Sequence, residues 1–253
     1  TELPLGASPS VARSFALHRT PAKSGPRTLN VAVVLVQFTD KPIGADRKQY
    51  FSDLFFSTGT IPTGSVKEYY SEVTGKKIKI AGEVVGPYTL PSTLATYAGG
   101  GSGVDNNLPN ARTMARDAAV VADGDLDFSK YDNDGDGFAD AYVIVHAGRG
   151  AEETGNPGDI WSHKWVLSGG ALAVDGSKVF SYLTVPEDAK LGVCAHELGH
   201  LLFGFPDLYD TDGDSEGVGN WCLMGGGSWN GNGHTPAHPS AWCKSQRNWV
   251  AVD

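Results

Sequence analysis

A chain of 253 residues that is 40% hydrophobic and 19% charged, with 33 glycines and 14 prolines, has enough apolar sequence for a sizeable core and too much for disorder, so a globular, turn-rich fold is expected. The formal net charge of −9 combines acidic residues gathered into short runs with 20 scattered basic ones, which excludes a basic nucleic-acid face and points towards cations. No stretch approaches the roughly 20 apolar residues of a membrane-spanning helix. The chain opens at Thr1 with no signal-like apolar segment, as a processed mature protein or a trimmed one would.

Residues 1–29 mix Pro, Ser, Arg and Lys without periodicity and are expected to be a tail or pro-segment remnant, with the domain proper at 30–253. VAVVLVQF at 31–38 is a nearly continuous β-branched run that predicts a buried strand. YFSDLFFS and SVKEYYSEVTG have helical spacing, the second with Ser65 as N-cap and Gly75 as stop. KIKIAGEVVG alternates like a strand, 111–123 predicts a helix, and AYVIVHAG at 141–148 predicts another strand. A weaker strand is expected near 178–184, then a helix from about 187 that ends at Gly204. Turn residues dominate from there to PSAWCKSQRNWV, a last helix. This order predicts a mixed α/β (α+β) fold followed by an irregular C-terminal subdomain, with a cleft between them.

His196-Glu197-Leu198-Gly199-His200 lies on the helix before Gly204. Residues four apart share a helix face, so His196 and His200 can bind one metal, and Glu197 stands beside it as a general base for a bound water. Zinc suits two imidazoles plus a third ligand, because its fourth position is then left for water. Asp207, where the chain turns back after Gly204, is the preferred third ligand; Asp210, Glu216, His234 and His238 are alternatives. The competing explanation is a buried helix with two hydrogen-bonded histidines.

YDNDGDGFAD at 131–140 sets Asp132, Asp134, Asp136 and Asp140 at alternating positions around Gly137, the loop chemistry of a calcium site. It departs from a full EF-hand: Val143 stands where a bidentate glutamate would be, and a strand follows instead of a helix. Asp210, Asp212, Asp214 and Glu216 form a second, weaker calcium candidate. Solvated acidic turns are the alternative for both. Met224 lies in a glycine-rich turn, where a methionine is more often a core filler than part of a site. His146 and His163 are expected to be structural, although both could line a cleft, and HAGRG at 146–150 could be an edge strand that holds a peptide. Cys194, Cys222 and Cys243 allow at most one internal disulfide, Cys222 with Cys243 being the pairing expected of a secreted protein, or three buried thiols.

The helix, its closing glycine, the acid and the methionine turn resemble the metzincin zinc proteases, and that resemblance implies that Met224 is a hydrophobic support beneath the site and not a ligand. HELGH, PDLYDTD, GVGNWCLMGGGSW, SVKEYYSEVTGKKIKIAGEVVGPY and VIVHAGRGAEE together resemble secreted bacterial metallopeptidases of the immune inhibitor A type. That resemblance implies a zincin fold, with a mixed twisted sheet, a backing helix and the HExxH helix, and it implies endopeptidase activity on protein or peptide substrates, secretion and bound calcium. One departure stands out. The metzincin pattern puts its glycine seven and its third ligand ten residues after the first histidine, whereas Gly204 and Asp207 lie eight and eleven after His196. A zinc hydrolase of narrower amide range and an inactive calcium-dependent binding module are the competing functions; the intact Glu197 argues against the second.

Overall fold

In the computed structural model, which describes residues 26–210, 214–215 and 217–251, the strands in chain order are β1 Arg27–Gln37, β2 Ile78–Thr89, β3 Tyr142–His146, β4 His163–Val166, β5 Leu172–Val174, β6 Ser177–Val179 and β7 Ser181–Pro186. Five of them form one sheet in the order β2-β1-β3-β7-β4. β1 pairs in parallel with β2 and β3, β3 in parallel with β7, and β4 runs antiparallel at the edge. Val31 to Val36 and all of β3 are buried, as expected of central strands covered on both faces.

β1 begins at Arg27, so residues 27–29 belong to the sheet and not to a tail. HAGRG is not an edge strand: its first residue ends β3, which lies between β1 and β7, and the free edges belong to β2 and β4. The single strand expected near 178–184 is two. β6 pairs with β5 in a separate hairpin, and after Phe180 the chain enters the main sheet as β7. No glycine or proline marks that join, so the apolar pattern reads straight through it.

The helices are α1 Arg47–Phe56, α2 Val66–Val73, α3 Leu94–Ala98, α4 Ala111–Ala122, α5 Ala151–Thr154, α6 Leu191–Phe203 and α7 Ala241–Gln246. α1 and α2 pack on β2, α4 on β1 and β2, and α6 on β7, β4 and α2. Ser65 caps α2 in a reciprocal box: its Oγ accepts from the Glu68 N–H at 3.1 Å while the Glu68 carboxylate accepts from the Ser65 N–H at 3.0 Å. Gly75, at φ 61°, lets the chain reverse after α2.

α6 starts at Leu191, not 187, because Pro186 ends β7 and the next four residues form the connection, Lys190 being the N-cap. All 13 of its residues are buried. Tyr70 of α2 donates its hydroxyl to the Ala195 carbonyl at 2.7 Å, and its ring packs with Phe203 and Trp249 under the end of α6. Among the described residues no helix is long and apolar enough to cross a membrane.

Candidate metal centre

His196 and His200 are one turn apart on α6, and each ring is oriented by a backbone carbonyl. Nδ1 of His196 lies 2.9 Å from the Leu223 oxygen, and Nδ1 of His200 lies 2.5 Å from the Phe205 oxygen. A carbonyl can only accept, so Nδ1 carries the proton in both neutral rings and each Nε2 presents a lone pair. Those Nε2 atoms are 3.0 Å apart, and each is 3.1 Å from Asp207 Oδ1. Three lone pairs facing one point repel unless a cation lies among them. The ligand atoms of a tetrahedral zinc ion are about 3.3 Å apart for bonds of about 2.0–2.1 Å, so two imidazoles and a carboxylate at this spacing fit zinc with little movement.

Electrostatics favours a positive charge at the same point. Burial works against charge on His196, but the Asp207 and Glu197 carboxylates outweigh it and raise the pKa. At His200 burial wins and the pKa falls. Burial also opposes charge on Asp207, yet the two imidazoles hold it far below the usual carboxylate range.

Asp207 reaches the histidines through the turn that ends α6. Gly204 adopts the left-handed conformation at φ 59°, its N–H bonds to the His200 carbonyl, and the Phe205 N–H bonds back to Gly199. α6 is continuous through Phe203, so the residue in excess of the metzincin spacing extends the helix between His200 and Gly204, without a bulge, and the turn from Gly204 to Asp207 keeps the pattern's length. The Leu208 N–H then donates to the Met224 carbonyl at 2.7 Å, fixing the segment beside Asp207.

Met224 is fully buried, with its Sδ 3.0 Å from where a Cβ on Gly199 would stand. The methionine turn therefore touches the site three times: through the Leu223 carbonyl, the Met224 carbonyl and the Met224 side chain. The two carbonyls carry no sequence signal, since every residue has one.

Glu197 is also buried, and its Oε2 has no hydrogen-bond partner among the described residues. Glu152 of α5 is close enough to feel its charge: burial raises the Glu152 pKa, hydrogen bonds from Ser162 oppose this, and Glu197 adds to it. The Glu152 carboxylate accepts from both the N–H and the hydroxyl of Ser162, at the start of β4. His163 is a satisfied structural residue, bonded to the Trp161 carbonyl at 2.7 Å and the Tyr182 hydroxyl at 2.8 Å. His146 is fully buried in β3, with Nδ1 3.0 Å from the Ala147 oxygen. Tyr209, which the sequence did not single out, stacks on His196 at a centroid distance of 6.5 Å.

In the first acidic loop, ligand oxygens of Asp132, Asp134 and Asp136 lie within 4.8 Å of one another. Asp140 is not in that group; its carboxylate accepts from the Asn133 N–H at 2.6 Å. Burial, with the three neighbouring aspartates adding to it, pushes its pKa up to about 7. In the second loop Asp212 and Glu216 lie outside the described residues, Asp210 accepts from the Ser215 N–H at 2.6 Å, and neither Asp210 nor Asp214 joins a group of ligands among the described residues. His234 is exposed, and His238 is bonded at the surface to Glu72 and Lys244, so neither competes with Asp207.

Comparison with known proteins agrees with this arrangement. The chain is 37% identical over 204 residues to immune inhibitor A of Bacillus thuringiensis subsp. alesti, covering 67% of this chain and 30% of that protein. It is 33% identical over 290 aligned positions to the pre-pro-metalloprotease PrtV of Vibrio cholerae serotype O1, covering 93% of this chain and 31% of the relative. The chain thus spans less than a third of the length of either relative. Residues 19–252 match the catalytic domain of the immune inhibitor A peptidase M6 family, and the chain belongs to that family.

Proposed function

We propose that this chain is the catalytic domain of a secreted zinc endopeptidase in which Glu197 activates water, and that calcium in the 131–140 loop stabilises it. The observation that carries the reading is the convergence of His196 Nε2, His200 Nε2 and Asp207 Oδ1 within 3.1 Å of one another, next to a buried glutamate whose Oε2 has no partner among the described residues. The name of the Vibrio relative, a pre-pro-metalloprotease, supports both the chemistry and secretion.

Zinc held by His196, His200 and Asp207 would supply the Lewis acidity that brings the pKa of a water down to about 7 and polarises a peptide carbonyl. Glu197 takes a proton from the attacking water as its oxygen bonds to the carbonyl carbon, and passes that proton to the departing amine nitrogen when the C–N bond breaks. Burial of Glu197 keeps bulk water from competing for its carboxylate. In the 131–140 loop, three carboxylates within 4.8 Å of one another repel unless a cation joins them, and hard oxygens select calcium.

The test is cleavage of casein by the purified chain with zinc and calcium, beside Glu197→Ala. Cleavage lost in the variant, with zinc content unchanged, supports the reading. If neither cuts and both hold one equivalent of zinc, the enzyme acts on a narrower amide substrate. No cleavage and no zinc would leave a calcium-binding module as the better account.

A further inference from the structure

All three cysteines are buried, and two of them lie together at the start of α7. Cys222 opens the methionine turn, Cys243 lies in the first turn of α7, and Ser240 joins them: its N–H donates to the Cys222 sulfur at 3.2 Å and its Oγ accepts from the Cys243 N–H at 3.2 Å. The Cys222 sulfur also accepts from the backbone N–H of Met224 at 3.4 Å. In the folded chain the neighbouring Cys243 thiol, with these backbone donors adding to it, lowers the Cys222 pKa to about 6, while Cys243 is pushed up. Cys194, on α6, is not part of this pair.

We propose that Cys222 and Cys243 are joined by a disulfide that fastens the methionine turn to α7. Both cysteines are tied to Ser240 at the start of α7, so bringing their sulfurs to the S–S length of about 2.0 Å asks for local adjustment and no refolding of either segment. Both cysteines are 0% exposed, so the exchange takes place while the chain folds, before α7 closes over the turn. The Cys222 thiol, its proton given to solvent, attacks an oxidant disulfide, either a small molecule or an oxidoreductase, and one oxidant thiolate leaves. Cys243, its proton given to solvent, attacks the Cys222 sulfur of the mixed disulfide and the second oxidant thiolate leaves. Two protein thiols are oxidised and one disulfide is reduced to two thiols. Burial then shields the bond from reductants.

The crosslink acts on the metal site through the backbone. It restrains the turn whose Leu223 carbonyl orients His196 and whose Met224 carbonyl fixes Leu208, beside Asp207. This consequence, unlike the bond itself, rests on the zinc reading.

The test is thiol counting on the full chain folded in an oxidising glutathione buffer, then denatured and alkylated with and without prior reduction. The expected result is one alkylated cysteine, Cys194, without reduction and three after it, with a linked peptide pair containing residues 222 and 243. Three alkylated cysteines without reduction, or a link to Cys194, would overturn the proposal, and neither readout needs a variant. In a second arm, oxidised wild type should lose zinc to a chelator several-fold more slowly than the Cys222→Ser/Cys243→Ser double variant or the reduced wild type. Equal rates would overturn the coupling to the metal site alone. Failure of every sample to hold zinc would count against the metal reading and leave the thiol result standing.

Discussion

The Nδ1 of His196 lies 2.9 Å from the carbonyl oxygen of Leu223, so a ligand on α6 is oriented by a turn far along the chain. The ligand helix and the methionine turn therefore behave as one unit, and a change that separates them disturbs the metal site without touching a ligand. The reverse also holds, because the same turn anchors the segment beside Asp207 through the Leu208 N–H.

Gly192→Ala tests the contact between α6 and the loops that follow it. In an exposed helix this change is stabilising by about 1 kcal/mol. Here the added Cβ would stand 1.8 Å from the Ser228 carbonyl oxygen, which is backbone and cannot rotate aside, while the Gly192 N–H is bonded to the Gly233 carbonyl. The sign should reverse to a loss of about 1–3 kcal/mol in urea unfolding, with lower zinc occupancy. Gly199→Ala should cost less, because its tightest neighbour is the flexible Met224 Sδ at 3.0 Å. Equal effects of the two would refute this account of the packing.

Asp207→Asn should sharply weaken zinc binding and leave the fold intact, since the amide keeps the shape and loses the charge. Equilibrium dialysis against a competing chelator measures it. Zinc retention equal to that of the wild type would mean that another group, such as Glu216, is the third ligand.

Acid should destabilise the protein through its buried histidines. His146 and His163 have pKa values lowered from 6.5 to about 4, mainly by burial. Between those values the unfolded chain binds protons that the native one refuses, so their contribution is full above pH 6.5 and is lost as pH falls towards 4. Each histidine adds a slope of about 1.4 kcal/mol per pH unit. His163→Gln should be less stable than wild type at pH 7, yet lose less on acidification by about one proton in the slope of urea stability against pH. An unchanged slope would contradict the burial argument. Asp140 acts in the opposite sense, its raised pKa making stability fall as pH rises from 3.8 towards about 7, and it cancels when the variant is compared with wild type.

Calcium should raise the melting temperature of the wild type, and the rise should vanish in an Asp132→Asn/Asp134→Asn/Asp136→Asn variant. Without calcium the variant should be the more stable of the two at pH 8, because three facing carboxylates have been neutralised. Scanning calorimetry with and without chelator checks both. A calcium response that survives in the variant would place the ion elsewhere.

The sequence by itself determined whatever is encoded within a turn or two of chain. Helical periodicity puts His196 and His200 on one face whatever surrounds them, Ser65 and Glu68 form their box from adjacent residues, and the 131–140 loop draws its aspartates together around local turns. Asp207 was legible because Gly204 stops the helix just before it. The tertiary structure alone decided that β3 is a central strand, that 177–186 divides between two sheets, and that the carbonyls of Leu223 and Phe205 orient the ligands. It also decided that Glu152 stands near Glu197 and that Cys222 meets Cys243. Strand pairing and carbonyl acceptors use backbone groups common to every residue, and contacts between distant segments depend on how whole elements pack, so neither leaves a pattern in the local sequence.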